Sequence, residues 1–93
     1  MRVRMPVVFG SNAFAPVFNA VELAISKEDF PIELDCVDVQ MVTSSFYTLV
    51  VGALKRAGTN RDQVCLINVS PKTLQFMQTC KFDRVVSIRM IND

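Results

Sequence analysis

Three consecutive hydroxyl side chains, Thr43, Ser44 and Ser45, stand just before an apolar stripe with helical spacing. A hydroxyl in that position caps a helix by accepting a backbone N–H. The same place tolerates an added phosphate, because free N–H groups and the positive end of the helix dipole lie beside it. A phosphate brings roughly −2 of charge and would alter a contact surface while leaving the fold intact. On the residues alone, capping and switching both stay open. Other chemistries find little to work with. The chain has no histidine, and Cys36, Cys65 and Cys80 show no CxxC spacing, so no metal site is expected. Cys36 and Cys65 lie in apolar runs and read as small core hydrophobes. Cys80 as a nucleophile would need a lysine or carboxylate as its base. Asp35 and Asp38 are three apart and point to opposite faces of an extended strand, which makes them strand-end polar residues rather than a catalytic pair. Gly10, Gly52 and Gly58 draw neither GxGxxG nor a phosphate loop, and Met41, Met77 and Met90 read as core filler. The expectation is a protein without enzymatic activity and without cofactor or metal.

The elements that hold these residues alternate between strand and helix signals. Residues 3–9 are rich in β-branched types and close on Gly10, with Pro6 marking an edge strand. Ser11 and Asn12 are capping types, Pro16 belongs in a first turn, and Phe14, Phe18, Val21 and Ile25 recur at helical spacing. Pro31 ends that stretch. Residues 32–39 alternate and then lose the alternation, as a central strand does. The helix after Thr43, Ser44 and Ser45 runs through Phe46, Leu49, Val50, Ala53 and Leu54 and stops at Lys55, Arg56 and Gly58. Residues 59–63 form a polar turn and 64–69 a short buried strand. Ser70 as cap and Pro71 as first helical residue open a helix over 72–80 whose Leu74 and Met77 face inward, with Phe76 and Cys80 on the flank. Residues 81–84 are a loop and 85–90 a last strand. The β-α-β-α-β-α-β order predicts an α/β domain with a mostly parallel or mixed four-stranded sheet and helices packed against it.

With 93 residues this is one domain, spanning 1–93, and at 51% apolar and 20% charged it has the composition of a packed globule. Basic residues are sparse in residues 1–47 (Arg2, Arg4, Lys27) and richer in residues 48–93. No basic stripe with interleaved aromatics forms, so nucleic-acid binding is not expected. No run reaches the roughly 18 apolar residues of a membrane span, and the short start MRVRMPVVFG is not a signal peptide. Reduced thiols then suit a cytoplasmic location. The edge strand at 3–9 offers unpaired backbone groups, which leads us to expect a homo-oligomer at high concentration.

The stretch 34–56, LDCVDVQMVTSSFYTLVVGALKR, resembles the part of STAS (anti-sigma-factor antagonist) domains that runs from a central strand through a serine loop into a helix with a basic end. Leu34 and Asp35 match the strand dipeptide, Val39 the next apolar anchor, and Met41 and Val42 the apolar pair before the loop. Gly52, Lys55 and Arg56 fall where many members have glycine and a basic residue. Downstream, VCLINVSPKTLQFMQTCKFDRVVSI is similar to the family's strand, Ser-Pro helix start and final strand, with Ser70, Pro71, Phe82 and Asp83 carrying the match. Phe9 and Gly10 resemble the opening strand and turn, although the first strand of the usual pair has no counterpart. Thr43 stands where the family usually has aspartate and Phe46 where it usually has glycine. After the last strand only Ile91, Asn92 and Asp93 remain, where the family commonly packs a helix.

The resemblance implies a STAS-like fold and a non-catalytic regulatory domain acting by protein–protein contact in signalling and transcription regulation. Ser44 takes the place of the phosphoacceptor serine; with the pairing shifted by one residue, Ser45 does. The start of that helix, with Thr43, Phe46 and Tyr47, becomes the partner-contact surface. The implied partners are an anti-sigma-type serine kinase or another STAS protein. The alternative is a module that senses a small nucleotide or anion at the Ser44 helix start, or one that is purely structural within a larger assembly.

Overall fold

The computed structural model describes residues 1–91. Four strands, β1 (Arg2–Arg4), β2 (Ile32–Asp35), β3 (Val64–Val69) and β4 (Ser87–Met90), form one sheet in the order β1-β2-β3-β4, and every neighbouring pair is parallel. The connections are α1 (Ser11–Ser26), α2 (Ser44–Ala57) and α3 (Pro71–Thr79), with 3₁₀ turns at Gly58–Gln63 and Phe82–Arg84. Parallel neighbours require crossovers, and right-handed crossovers that all step in one direction place all three helices on one face of the sheet. The burial agrees. Ile32, Leu34, Val64 and Leu66, which share a face by register, are all fully buried. Their neighbours on the other face include Arg2, Glu33, Ser87 and Arg89, and ion pairs cross the strands there from Arg2 and Arg89 to Glu33.

Helix α2 follows its sequence signals closely. Its buried residues Phe46, Leu49, Val50, Ala53, Leu54 and Ala57 repeat at three and four, Lys55 and Arg56 sit in the last turn, and Gly58 closes it at φ 60°. Strand β3 and helix α3 also lie where the residues place them; the Ser70 hydroxyl accepts the Thr73 N–H at 3.2 Å, and Pro71 opens the helix.

Three strands are shorter than their apolar runs. Strand β1 stops near Pro6, which has no N–H to offer a ladder. The chain then rejoins its neighbour through a Gln40 N–H to Val7 carbonyl bond of 3.0 Å and an isolated parallel bridge between Val8 and Met41. Strand β2 ends at Asp35 because its carboxylate accepts the Val37 N–H at 3.1 Å, a side-chain turn that competes with the sheet. The lost alternation after Asp35 therefore marks a turn rather than burial on both faces. Before β4, Val85 and Val86 both donate to the Phe82 carbonyl (3.0 and 3.3 Å) and belong to a turn.

Two further expectations are corrected. Pro16 lies inside α1, in its second turn, on an exposed position where the carbonyl it leaves without a helical donor can be hydrated. The cap of that helix is the backbone of Gly10 rather than a side chain. Asn92 and Asp93, which end the stretch after the last strand, lie outside the described residues.

Candidate functional site

The C-terminal edge of a parallel sheet is where helix N-termini and connecting loops converge, and where ligands and partners of open α/β folds usually meet the protein. Thr43, Ser44 and Ser45 lie there. Thr43 is the N-cap of α2 with extended backbone (φ −101°, ψ 170°), and its hydroxyl accepts the Phe46 N–H at 3.1 Å. The same hydroxyl donates to the Phe9 carbonyl at 2.5 Å. Its one proton and one acceptor direction are thus spent on tying the α2 start to the segment after β1. The Thr43 carbonyl takes the Tyr47 N–H at 3.1 Å, the first turn of the helix.

Ser44 and Ser45 are the first two helical residues, and neither is the cap. Ser44 is exposed and Ser45 half-buried. Their N–H groups belong to the first turn and have no helical acceptor. No acidic residue stands in that turn, so an anion added at Ser44 meets the dipole without an opposing carboxylate on the helix.

Beneath the helix start lies an aromatic cluster. Phe46 packs edge-on against Phe9 (6.1 Å) and tilted against Phe82 (6.1 Å), and all three rings are buried. Phe46 therefore belongs to the core and is not available to a partner, contrary to its expected place on the contact surface. Its position in the Phe46, Leu49, Val50, Ala53 stripe is the reason. Tyr47 is 44% exposed and rests edge-on over Phe82 at 5.2 Å.

Two hollows that share Val42 and Phe76 adjoin here, and Ser44 lines the smaller one. The smaller, about 200 Å³, is lined by Val42, Thr43, Ser44, Tyr47, Phe76 and Cys80 among others. The larger, about 630 Å³, runs between the loop before α2 and helix α3, with Met41, Val42, Phe76 and Thr79 on its walls and Lys72 at its rim. Met41 and Phe76 are each more than half exposed, and Val8, paired to Met41, is too. These three large apolar side chains form the signal that the residue pattern missed. Met41 reads as core filler and Phe76 as an inward flank, yet both are exposed; α3 turns Met77 to the core as expected, and Thr73 with it.

The two aspartates singled out beside the site have structural partners. Asp35 accepts from Val37 and from the Asn68 side chain at 3.1 Å, where Asn68 adopts φ 56° at an irregularity in β3. Asp38 pairs with Arg4 at 2.8 Å. Among the described residues no group of three or more His, Cys, Asp or Glu could hold a metal, and no helix is long and apolar enough to cross a membrane.

No protein-family model matches the sequence, and no curated protein matches it significantly. Solved structures do match. A STAS domain protein from Planctomyces limnophilus superposes with a TM-score of 0.72 at 21% identity, over 99% of this chain and 82% of the other. A protein from Thermotoga maritima, assigned as an anti-sigma factor antagonist, superposes with a TM-score of 0.76 at 21% identity, over 95% of this chain and 78% of the other. The four-stranded parallel sheet with its helices on one face is thus the fold of STAS domains.

Proposed function

We propose that this chain is a non-catalytic regulatory domain of the anti-sigma-factor-antagonist kind, which binds a protein partner through the α2 start and is switched by phosphorylation of Ser44. The observation that carries this reading is the exposed Ser44 hydroxyl at the first position of α2, set beside the exposed apolar side chains of Met41, Phe76 and Tyr47. Apolar side chains exposed together at a loop-rich edge are a feature of protein contact surfaces. A charge placed at their rim would repel or desolvate on docking and weaken the contact. Ser44 is favoured over Ser45 because it is the more exposed. A serine kinase of the anti-sigma type, or another STAS protein, suits such a surface, and the free thiols suit a reducing, cytoplasmic setting.

The test compares Ser44→Ala with Ser44→Asp. Thr43 remains as the cap in both, so each variant should melt like the parent, within about 0.5 kcal/mol. Ser44→Ala should bind the partner as the parent does, whereas Ser44→Asp should bind it about tenfold or more weakly. Phosphate mapped by mass spectrometry to Ser44 after incubation with a serine kinase of the anti-sigma type completes the case. Phosphate found elsewhere, or equal binding by both variants, removes the switch.

A further inference from the structure

At the far end of α2, roughly 20 Å from Ser44 along the helix, another concavity of about 480 Å³ has a different chemistry. Among the described residues its walls are Val51, Leu54 and Val85 together with Lys55, Arg61 and Arg84, and no carboxylate is among them. The three cations come from three separate elements: the last turn of α2, the 3₁₀ turn before β3 and the 3₁₀ turn before β4. None of them makes an ion pair among the described residues, although Arg2, Arg4, Arg56 and Arg89 all do. Asp62 and Asp83 line only the adjoining hollow, and neither forms an ion pair with Arg61 or Arg84. Lys55 has a helical role, since a cation in the last turn of α2 meets its carbonyl end. That role does not extend to Arg61 and Arg84. Val85 is 45% exposed, an apolar surface set among three positive charges.

From these observations we infer that the Lys55, Arg61 and Arg84 cleft is a second docking surface, which takes an acidic segment of a protein partner with apolar side chains interleaved among its carboxylates. Both halves of that description come from the walls. Carboxylates answer the guanidinium groups of Arg61 and Arg84, which bind them through forked hydrogen bonds, and apolar side chains answer Val51, Leu54 and Val85. Free phosphate uses only the cations and gains nothing from the valines and leucine. Single-stranded nucleic acid needs aromatic platforms for its bases, and no aromatic residue lines the cleft. The surface is separate from the Ser44 edge, so either proposal can fail without the other.

The probe is a fluorescent peptide in which Glu and Asp alternate with Leu, titrated by anisotropy against the full chain. Binding should weaken as salt rises, because the charges are exposed. Arg61→Gln and Arg84→Gln, tested singly and together with circular dichroism to confirm folding, should cost about tenfold or more in affinity for the pair. Val85→Ser should also weaken the peptide, whereas Ser44→Asp should leave it unchanged. Four results would overturn the proposal: no binding, binding indifferent to the arginine variants, displacement by equimolar inorganic phosphate, or tighter binding of an oligonucleotide through the same arginines.

Discussion

Cys36 shows how burial can dominate the chemistry of a residue. The side chain is 2% exposed, and desolvation, reinforced by the Asp35 carboxylate next to it, pushes its thiol from the ordinary 9.0 up to about 12. Cys65 is also raised, again chiefly by burial, while Cys80 is exposed. Because the thiolate is the reactive form, iodoacetamide at about pH 8 should label Cys80 first and Cys36 only after unfolding, which peptide mass spectrometry reads directly. Early labelling of Cys36 would mean that this end of β2 opens in the native state. The same shift fixes a pH dependence. Above pH 9.0 the unfolded chain loses the Cys36 proton while the folded chain keeps it, so this contribution to stability is complete below 9.0 and lost as pH rises towards 12. The burial of Cys36 and Cys65 was legible from their apolar runs. For Phe46 the helical period, which places it with Leu49 and Val50, was a better guide than the family pattern that set it beside the serines.

At the scale of elements, helix ends were legible where a side chain or glycine made them and hidden where the backbone alone did. Helix α1 ends in a Schellman arrangement: the Glu28 N–H donates to the Ile25 carbonyl at 3.0 Å and the Asp29 N–H to the Ala24 carbonyl at 2.9 Å, with Glu28 at φ 54°. Glycine is the residue for that conformation. Glu28→Gly relieves roughly 1–2 kcal/mol of left-handed strain and loses about 0.4–1 kcal/mol to the freer unfolded chain, so it should stabilise the protein by about 0.5–1 kcal/mol, a rise of a few degrees in Tm for a domain of this size. Glu28→Ala serves as the control. It removes the same side chain but keeps the Cβ, so it should not raise Tm; an equal rise in both would place the effect in the glutamate's charge. The sequence offered only Pro31 as a stop here, because a glutamate carries no mark of a left-handed residue. The strand ends were hidden for a related reason. Asp35 closes β2 through its own carboxylate and Phe82 draws Val85 and Val86 into a turn, so apolar runs that continue as letters do not continue as ladder. Strand β3, with no such competitor, runs the full length of its apolar segment.

At the scale of the molecule, a sheet that adds strands in one direction has an uncovered face and two edges, β1 and β4. Both edges carry arginine: Arg2 and Arg4 on β1, Arg89 on β4. Arg2 and Arg89 reach inward to Glu33, and Arg4 to Asp38. Self-association through the first strand has unpaired backbone to work with, but that strand is only three residues long and positively charged. Edge-to-edge growth would bring Arg2 and Arg4 of one copy against their counterparts or against Arg89 of another, and charged edges are a common device against such pairing. Replacing both arginines, Arg2→Thr with Arg4→Thr, would remove exposed ion pairs worth about 0–1 kcal/mol each and leave a β-branched edge. In sedimentation at matched concentration and low salt, the double variant should associate more strongly than the parent, and added salt should narrow the difference by screening the parent's edges. A parent that already dimerises at low salt, with the variant weaker, would instead make Arg2 and Arg4 contacts of a specific homodimer, and the β1 edge its interface.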